Sequence, residues 1–196
     1  MFPQTEAERI CAAAKERGIA TFLDGARLWN TAIATGQRLN KLAAPFDLVS
    51  VALSKGLGAP GGSMLAGSQE LIHRSIRHRR MLGGAMRQIG IFAAAGLYAL
   101  DHNIDRLADD HANARALARG LSQIDGIEVQ QPETNLVFFK PDGSGVPGAK
   151  MVAELRKRGV LLAMMDGRIR ACTHLDVSAT MIEETVGLVR EIVRAA

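Results

Sequence analysis

Residues 49–62 read VSVALSKGLGAPGG, an apolar run that ends on one lysine and then enters a loop dense in glycine. The apolar residues at 49, 51, 52 and 53 suit a short central strand of a parallel sheet, covered on both faces. Gly56, Gly58, Gly61 and Gly62 let the backbone after it pass close to a bound group. Open α/β sheets take their ligands at the carboxyl ends of their strands. Lys55, following Ser54 at such an end, suits imine chemistry if its amine is desolvated or lies beside other positive charge. By itself the string also reads as a surface lysine at a strand end.

A second apolar run, IATFLD at residues 19–24, likewise ends on a charged residue, Asp24, and continues as GAR. Between Asp24 and Lys55 lie a helix-like segment, residues 28–34, and a loop with Gly36 and Pro45, about the length of one strand-helix-strand unit. A right-handed crossover sets two parallel strands near each other with both carboxyl ends on one side. A carboxylate and an amine are then expected to face one pocket. Pyridoxal phosphate needs such a pair. An aspartate on its pyridine nitrogen keeps the ring protonated, the protonated ring withdraws electrons released at a substrate's α-carbon, and a lysine holds the cofactor as a Schiff base.

Four stretches carry a resemblance that runs along nearly the whole chain: FLDGARLWNTA (22–32), VSVALSKGLGAPGGSMLAG (49–67), MLGGAMRQIGIFAAAGLYAL (81–100) and RIRACTHLDVS (168–178). In that order they resemble successive signatures of the low-specificity threonine aldolases, members of the fold type I, aspartate-aminotransferase-like pyridoxal-phosphate enzymes. The resemblance implies an α/β fold with a truncated large-domain sheet (residues 1–101), a bridging helix (102–124) and a small C-terminal α+β domain (125–196). It implies Lys55 as the catalytic Schiff-base residue, Asp24 on the ring nitrogen, Ser54 and Arg87 as further cofactor contacts, and Arg27 with Arg170 on the substrate carboxylate. Without the family, Arg27 reads equally as a helix-start charge and Arg87 as a helix-terminus charge beside Gly83 and Gly84. Arg168 shares the side of its strand with Arg170 by alternation, so the two roles are open to exchange.

The implied reaction cleaves threonine, allo-threonine and similar β-hydroxy amino acids to glycine and an aldehyde. Family members carry a long segment ahead of the helix that leads into FLDGAR, and this chain is expected to lack it, with the loop for the cofactor phosphate, the histidine that stacks on the ring and a histidine near the substrate hydroxyl. No hydroxyl base is assigned. Both edges of the first sheet are then expected to be open. Two functions from different classes follow: an aldolase-type lyase, as a homodimer or homotetramer or paired with a separate N-terminal piece, or a catalytically incompetent chain acting through oligomerisation or partner binding. β-Elimination or transamination on the same fold is the weaker third reading.

Composition is that of an ordinary globular protein: 196 residues, 47% hydrophobic, 22% charged, net charge +4. Much of the positive excess lies in HRSIRHRR, residues 73–80, read as a solvated helix face, since no aromatic platform or nucleic-acid motif accompanies it. Cys11 and Cys172 show neither metal spacing nor a disulfide framework, so no metal is expected and a reducing compartment is. The first ten residues lack the order of a signal peptide and no apolar run approaches a bilayer span, which makes the cytoplasm the default.

Along the chain, Thr5 and Glu8 read as a capping box opening a helix whose apolar residues are Ile10, Ala13 and Ala14 and which stops at Gly18. Residues 62–66 read as a strand, 69–80 as a helix, 89–100 as a buried helix or an oligomer contact, and 102–120 as a long polar-apolar helix. In the last third, strands are expected at 127–130, 135–139, 160–165 and 168–173, the last two about an Asp166-Gly167 turn, with helices at 148–158 and 179–194. Met164 and Met165 read as core filler. His174 reads as structural, and His73, His78, His102 and His111 as helix residues without a site.

Overall fold

The computed structural model describes residues 1–195. It divides into two compact units, Met1–Leu107 and Ala108–Ala196.

The first unit opens with α1, Gln4–Glu16. The expected capping box does not form: Pro3 occupies the N-cap, and its carbonyl accepts from the amides of Glu6 and Ala7. The fixed φ of Pro3 starts the helix before Thr5 reaches a capping position. The helix ends as expected at Gly18, in the left-handed region (φ +65°), where the Gly18 and Ile19 amides return to the carbonyls of Lys15 and Ala14. That pairing is a Schellman motif, which L-residues at the glycine position resist. α1 buries Ala7 and Cys11, whereas its apolar Ile10 is exposed.

Strand β1, Phe22–Asp24, is shorter than the apolar run that predicts it. A strand extends only as far as its ladder, and β1 pairs in parallel with β2, Leu48–Ala52, solely at Phe22↔Leu48, Leu23↔Val49 and Asp24↔Ser50. Helices α2, Leu28–Thr35, and α3, Leu39–Ala43, fill the crossover. β3, Ser63–Gly67, runs antiparallel to β2, which gives the order β1-β2-β3 with β1 and β3 at the open edges among the described residues. The core of this unit gathers Trp29, Val49, Val51, Leu53, Leu57 and Leu107. Alternating burial along β2 puts Val49 and Val51 into that core.

α4, Gln69–Met81, buries none of its residues, and Ser68 caps it by accepting from the Leu71 amide at 3.3 Å. α5, Gly90–His102, is not the fully buried helix its apolar sequence allowed: Gly96 and Ala99 are buried, whereas Ile91 is 72% exposed and Leu97 and Tyr98 are also open. The small residues face the sheet unit, where a Cβ on Gly96 would meet Leu53 Cδ1 at 3.0 Å. The helix expected over 102–120 begins later, as α6, Leu107–Leu121, after a turn at 103–106.

The second unit holds β4 (Glu128–Gln130), β5 (Leu136–Lys140), α7 (Gly148–Lys157), β6 (Ala163–Met165), β7 (Arg168–Cys172) and α8 (Ala179–Arg194). Its antiparallel sheet has the order β4-β5-β7-β6. Ala114, Leu117, Ala118 and Leu121 of α6 pack with Val137, Phe139 and Ile169 of the sheet and with Ile182, Val186 and Val189 of α8. The Asp166-Gly167 turn has positive φ at both residues (49° and 72°), the geometry of a tight hairpin matched to strand twist. Met164 and Met165 are about half exposed rather than core filler, because β6 is the edge strand of its sheet; the Met164 side chain lies against Gly148 of α7. His111 lies on a helix as expected, and is buried on α6.

Candidate active site

The parallel pairing of β1 with β2 decides which groups lie at the carboxyl end of the first unit's sheet. Asp24 ends β1 opposite Ser50, and the Gly25 amide donates to the Ser50 carbonyl at 2.8 Å, so the chain leaves β1 pinned to its neighbour. A Cβ at Gly25 would lie 2.8 Å from that same carbonyl, and only glycine permits the approach. β2 then runs on through Leu53 to Ser54 and Lys55 at the same carboxyl end of the sheet. The Asp24 carboxylate is exposed, and its Oδ1 accepts from the Ala26 amide at 3.2 Å. Lys55 is exposed, and among the described residues its amine makes neither hydrogen bond nor ion pair. Both groups are open to a ligand.

The loop that carries Lys55 is held far more tightly than its glycine content suggests. Lys55 is the first residue of a turn closed by the Gly58 amide donating to its carbonyl at 2.9 Å. Gly58 completes the turn at φ +73°. Leu53 receives the returning loop, its amide donating to the Gly62 carbonyl at 3.0 Å and its carbonyl accepting from the Ala59 amide at 3.1 Å. Leu57, 1% exposed, plugs into the core. Its carbonyl accepts from Asn103 Nδ2 at 2.7 Å, and the Ala52 carbonyl accepts from Trp29 Nε1 at 3.0 Å. Gly56 slides past Asn30 and Leu107, where a Cβ would meet Leu107 Cδ2 at 2.7 Å. The glycines here serve close packing as much as flexibility.

Arg27 is half-buried at the N-cap of α2 and, with Asp24, lines an open cleft of about 220 Å³ that also takes in Leu23, Leu28 and Phe46. Lys55 lies outside that lining. Arg87 is exposed in the segment joining α4 to α5, next to Gln88 at φ 54°. Arg170 stands on β7 in the second unit. There the two candidate arginines differ: Arg168 donates to Gln130 Oε1 at 2.9 Å and lies 4.7 Å over the Phe138 ring, whereas Arg170 makes no polar contact among the described residues. A guanidinium already committed to an amide and an aromatic face is the poorer ligand for a substrate. The sequence reading passed over Trp29, Leu57 and Asn103. Their only local signal is that Trp29 is the single tryptophan.

Over 183 residues the chain is 42% identical to the low-specificity L-threonine aldolase 1 of Arabidopsis thaliana, covering 91% of this chain and 51% of that protein. It is 42% identical over 170 residues to the low specificity L-threonine aldolase of Escherichia coli O157:H7, covering 87% of this chain and 50% of that one. The chain therefore spans about half the length of the curated relatives it matches. The solved structure of Leishmania major threonine aldolase superposes with a TM-score of 0.76 at 24% identity, over 98% of this chain and 57% of that one, which establishes the fold type I architecture. The beta-eliminating lyase family model matches residues 1–144, which hold the pinned β1-β2 pair, the Lys55 turn and the Arg87 segment. Sequence match, fold and strand-end geometry agree, and the chain belongs to the beta-eliminating lyase family.

Proposed function

We propose that this chain carries the catalytic lysine of a pyridoxal-phosphate-dependent carbon–carbon lyase that cleaves threonine and allo-threonine-type β-hydroxy amino acids to glycine and an aldehyde. One observation carries the reading: β1 and β2 lie side by side in parallel and deliver an exposed carboxylate, Asp24, held only by the Ala26 amide, and an uncommitted amine, Lys55, to the same end of one sheet. The donor set fits the cofactor. Lys55 supplies the amine that would hold its aldehyde carbon, Asp24 the anion that would keep its pyridine nitrogen protonated, and Ser54 with Arg87 a hydroxyl and a cation for its phosphate. Bound there, pyridoxal phosphate supplies a sink for the electron pair released at the substrate's α-carbon.

The remaining work falls to the chain. Arg27, which lines a cleft with Asp24 in the first unit, takes the substrate carboxylate, and a guanidinium fork fixes the orientation that decides which bond at the α-carbon breaks. In the cleavage the bond between the α- and β-carbons breaks with its electron pair left on the α-carbon, the hydroxyl gives up its proton as the aldehyde C=O forms, and the α-carbon takes up one proton to become glycine, so no oxidant or water is consumed. Ser50, Gly25 and the Lys55 turn hold the site's backbone before any ligand arrives.

The test is the visible absorption spectrum of the purified chain with added pyridoxal phosphate, followed by borohydride reduction and peptide mapping, in wild type and Lys55→Ala. A yellow band and a reduced adduct on Lys55, both lost in the variant, are expected, with glycine and aldehyde release from threonine as the activity readout. No band, or one that Lys55→Ala leaves unchanged, ends this reading.

A second reading has its own observation. All five residues of β3 are exposed at an open edge, with Met64 and Leu65 among them, and Leu82 at the end of α4 is 86% exposed. Such a surface suits a chain that acts through association with further copies or with a separate N-terminal piece.

A further inference from the structure

Asn103 sits just past the end of α5. It is the C-cap of α5, its own amide donating to the Ala99 carbonyl at 2.9 Å, and its side chain reaches back 46 residues to the Leu57 carbonyl at 2.7 Å. Leu57 is the third residue of the turn that begins at Lys55, and the turn closes through the Gly58 amide on the Lys55 carbonyl. A turn of this kind can rotate about its ends unless its middle is held. Here the Leu57 side chain is sunk in the core on one side, and its carbonyl is tied on the other. The backbone that aims the Lys55 side chain is thereby fixed at three points: Trp29 on the Ala52 carbonyl before it, Gly58 on Lys55 itself, and Asn103 on Leu57 after it.

We propose that Asn103 is a positioning residue for Lys55, acting through the Leu57 carbonyl to hold the lysine-bearing turn in the geometry that carbonyl addition requires. The proposal deepens the function given above and rests on it for the role of Lys55. The tie is a neutral side-chain amide on a half-buried carbonyl, and the carboxamide supplies what a carboxylate cannot: an N–H donor aimed at an oxygen. Asn103→Asp therefore sets two acceptors against each other, and Asn103→Leu leaves the carbonyl without its donor at similar volume. Asn103→Gln keeps the donor on a longer arm.

The experiment uses the whole chain and added pyridoxal phosphate. Lys55 adduct yield after timed borohydride quenching is compared among wild type, Asn103→Leu, Asn103→Asp and Asn103→Gln, with adducts on Lys15, Lys41 and Lys157 as internal controls. A net hydrogen bond worth about 1 kcal/mol corresponds to roughly fivefold, so trapping at Lys55 falls roughly three- to tenfold in the Leu and Asp variants, stays unchanged at the control lysines, and recovers at least half-way in Gln. Gly58 amide exchange is measured alongside without cofactor, and accelerates by a similar factor in the Leu and Asp variants. Equal trapping at Lys55 in folded Asn103→Leu overturns the proposal. A wild type that gives no Lys55 adduct ends the function proposed above instead. The exchange then decides Asn103 alone: faster Gly58 exchange at unchanged melting temperature keeps it as the turn's clamp, and unchanged exchange removes it.

Discussion

Gly56 shows how single residues in this site are constrained by what passes behind them. An added Cβ would lie 2.7 Å from Leu107 Cδ2 and 3.3 Å from Asn30 Oδ1, both on side chains that are fully or almost fully buried. Gly56→Ala is expected to cost about 1–3 kcal/mol in denaturant unfolding and to lower Lys55 trapping with it, because overpacking moves the turn. His111 is the other residue with a definite consequence. Burial, followed by the nearby Arg115 charge, holds its pKa below the ordinary 6.5, against the smaller opposing pull of Asp110. The unfolded chain thus takes up this proton at a higher pH than the folded one. The His111 contribution to stability is complete above the unfolded value and is lost as pH falls below about 6.5 toward the depressed native value. Urea midpoints at several pH values should show an acid-side decline that flattens in His111→Gln. The strand-end positions of Asp24 and Lys55 were legible from local sequence, because a charge after an apolar run is a local pattern. Asn103 and Trp29 were not, since their partners lie far along the chain.

Elements were legible in proportion to how local their causes are. α8 has the i, i+4, i+7, i+10 pattern of Ile182, Val186, Val189 and Ile192, all buried, and Ser178 caps it by accepting from the Met181 amide at 3.2 Å. Ser178→Ala should cost about 1 kcal/mol, read as a lower melting temperature of the second unit. α1 shows the opposite case, where a capping box readable in sequence was pre-empted by the proline before it. Strand lengths were overestimated wherever an apolar run continued beyond its ladder, as at 19–21 and 160–162. Hydrophobicity is a property of the run, but a strand is a property of a pair.

For the whole molecule the open sheet edges decide behaviour. β3 offers five exposed, uncharged residues with no lysine, proline or bulge to blunt the edge, and β1 ends the other side with Phe22 exposed. Sedimentation velocity is expected to show concentration-dependent association that weakens in Leu65→Lys, since a charge on an edge strand opposes pairing. A monomer at all concentrations would count against the association reading and leave the lyase reading untouched.

The sequence by itself determined the family, the α/β class and the placing of Asp24 and Lys55 at neighbouring strand ends, because ordered motifs and strand-end charges are written in contiguous residues. Only the tertiary structure decided that Arg168 is committed to Gln130 and Phe138 while Arg170 is free, that α5 leaves most of its apolar face uncovered, and that the glycine-rich loop is clamped rather than loose. Each of these depends on a hydrogen bond or a packing surface between residues distant in the chain, and such pairings exist only once the strands have chosen their neighbours.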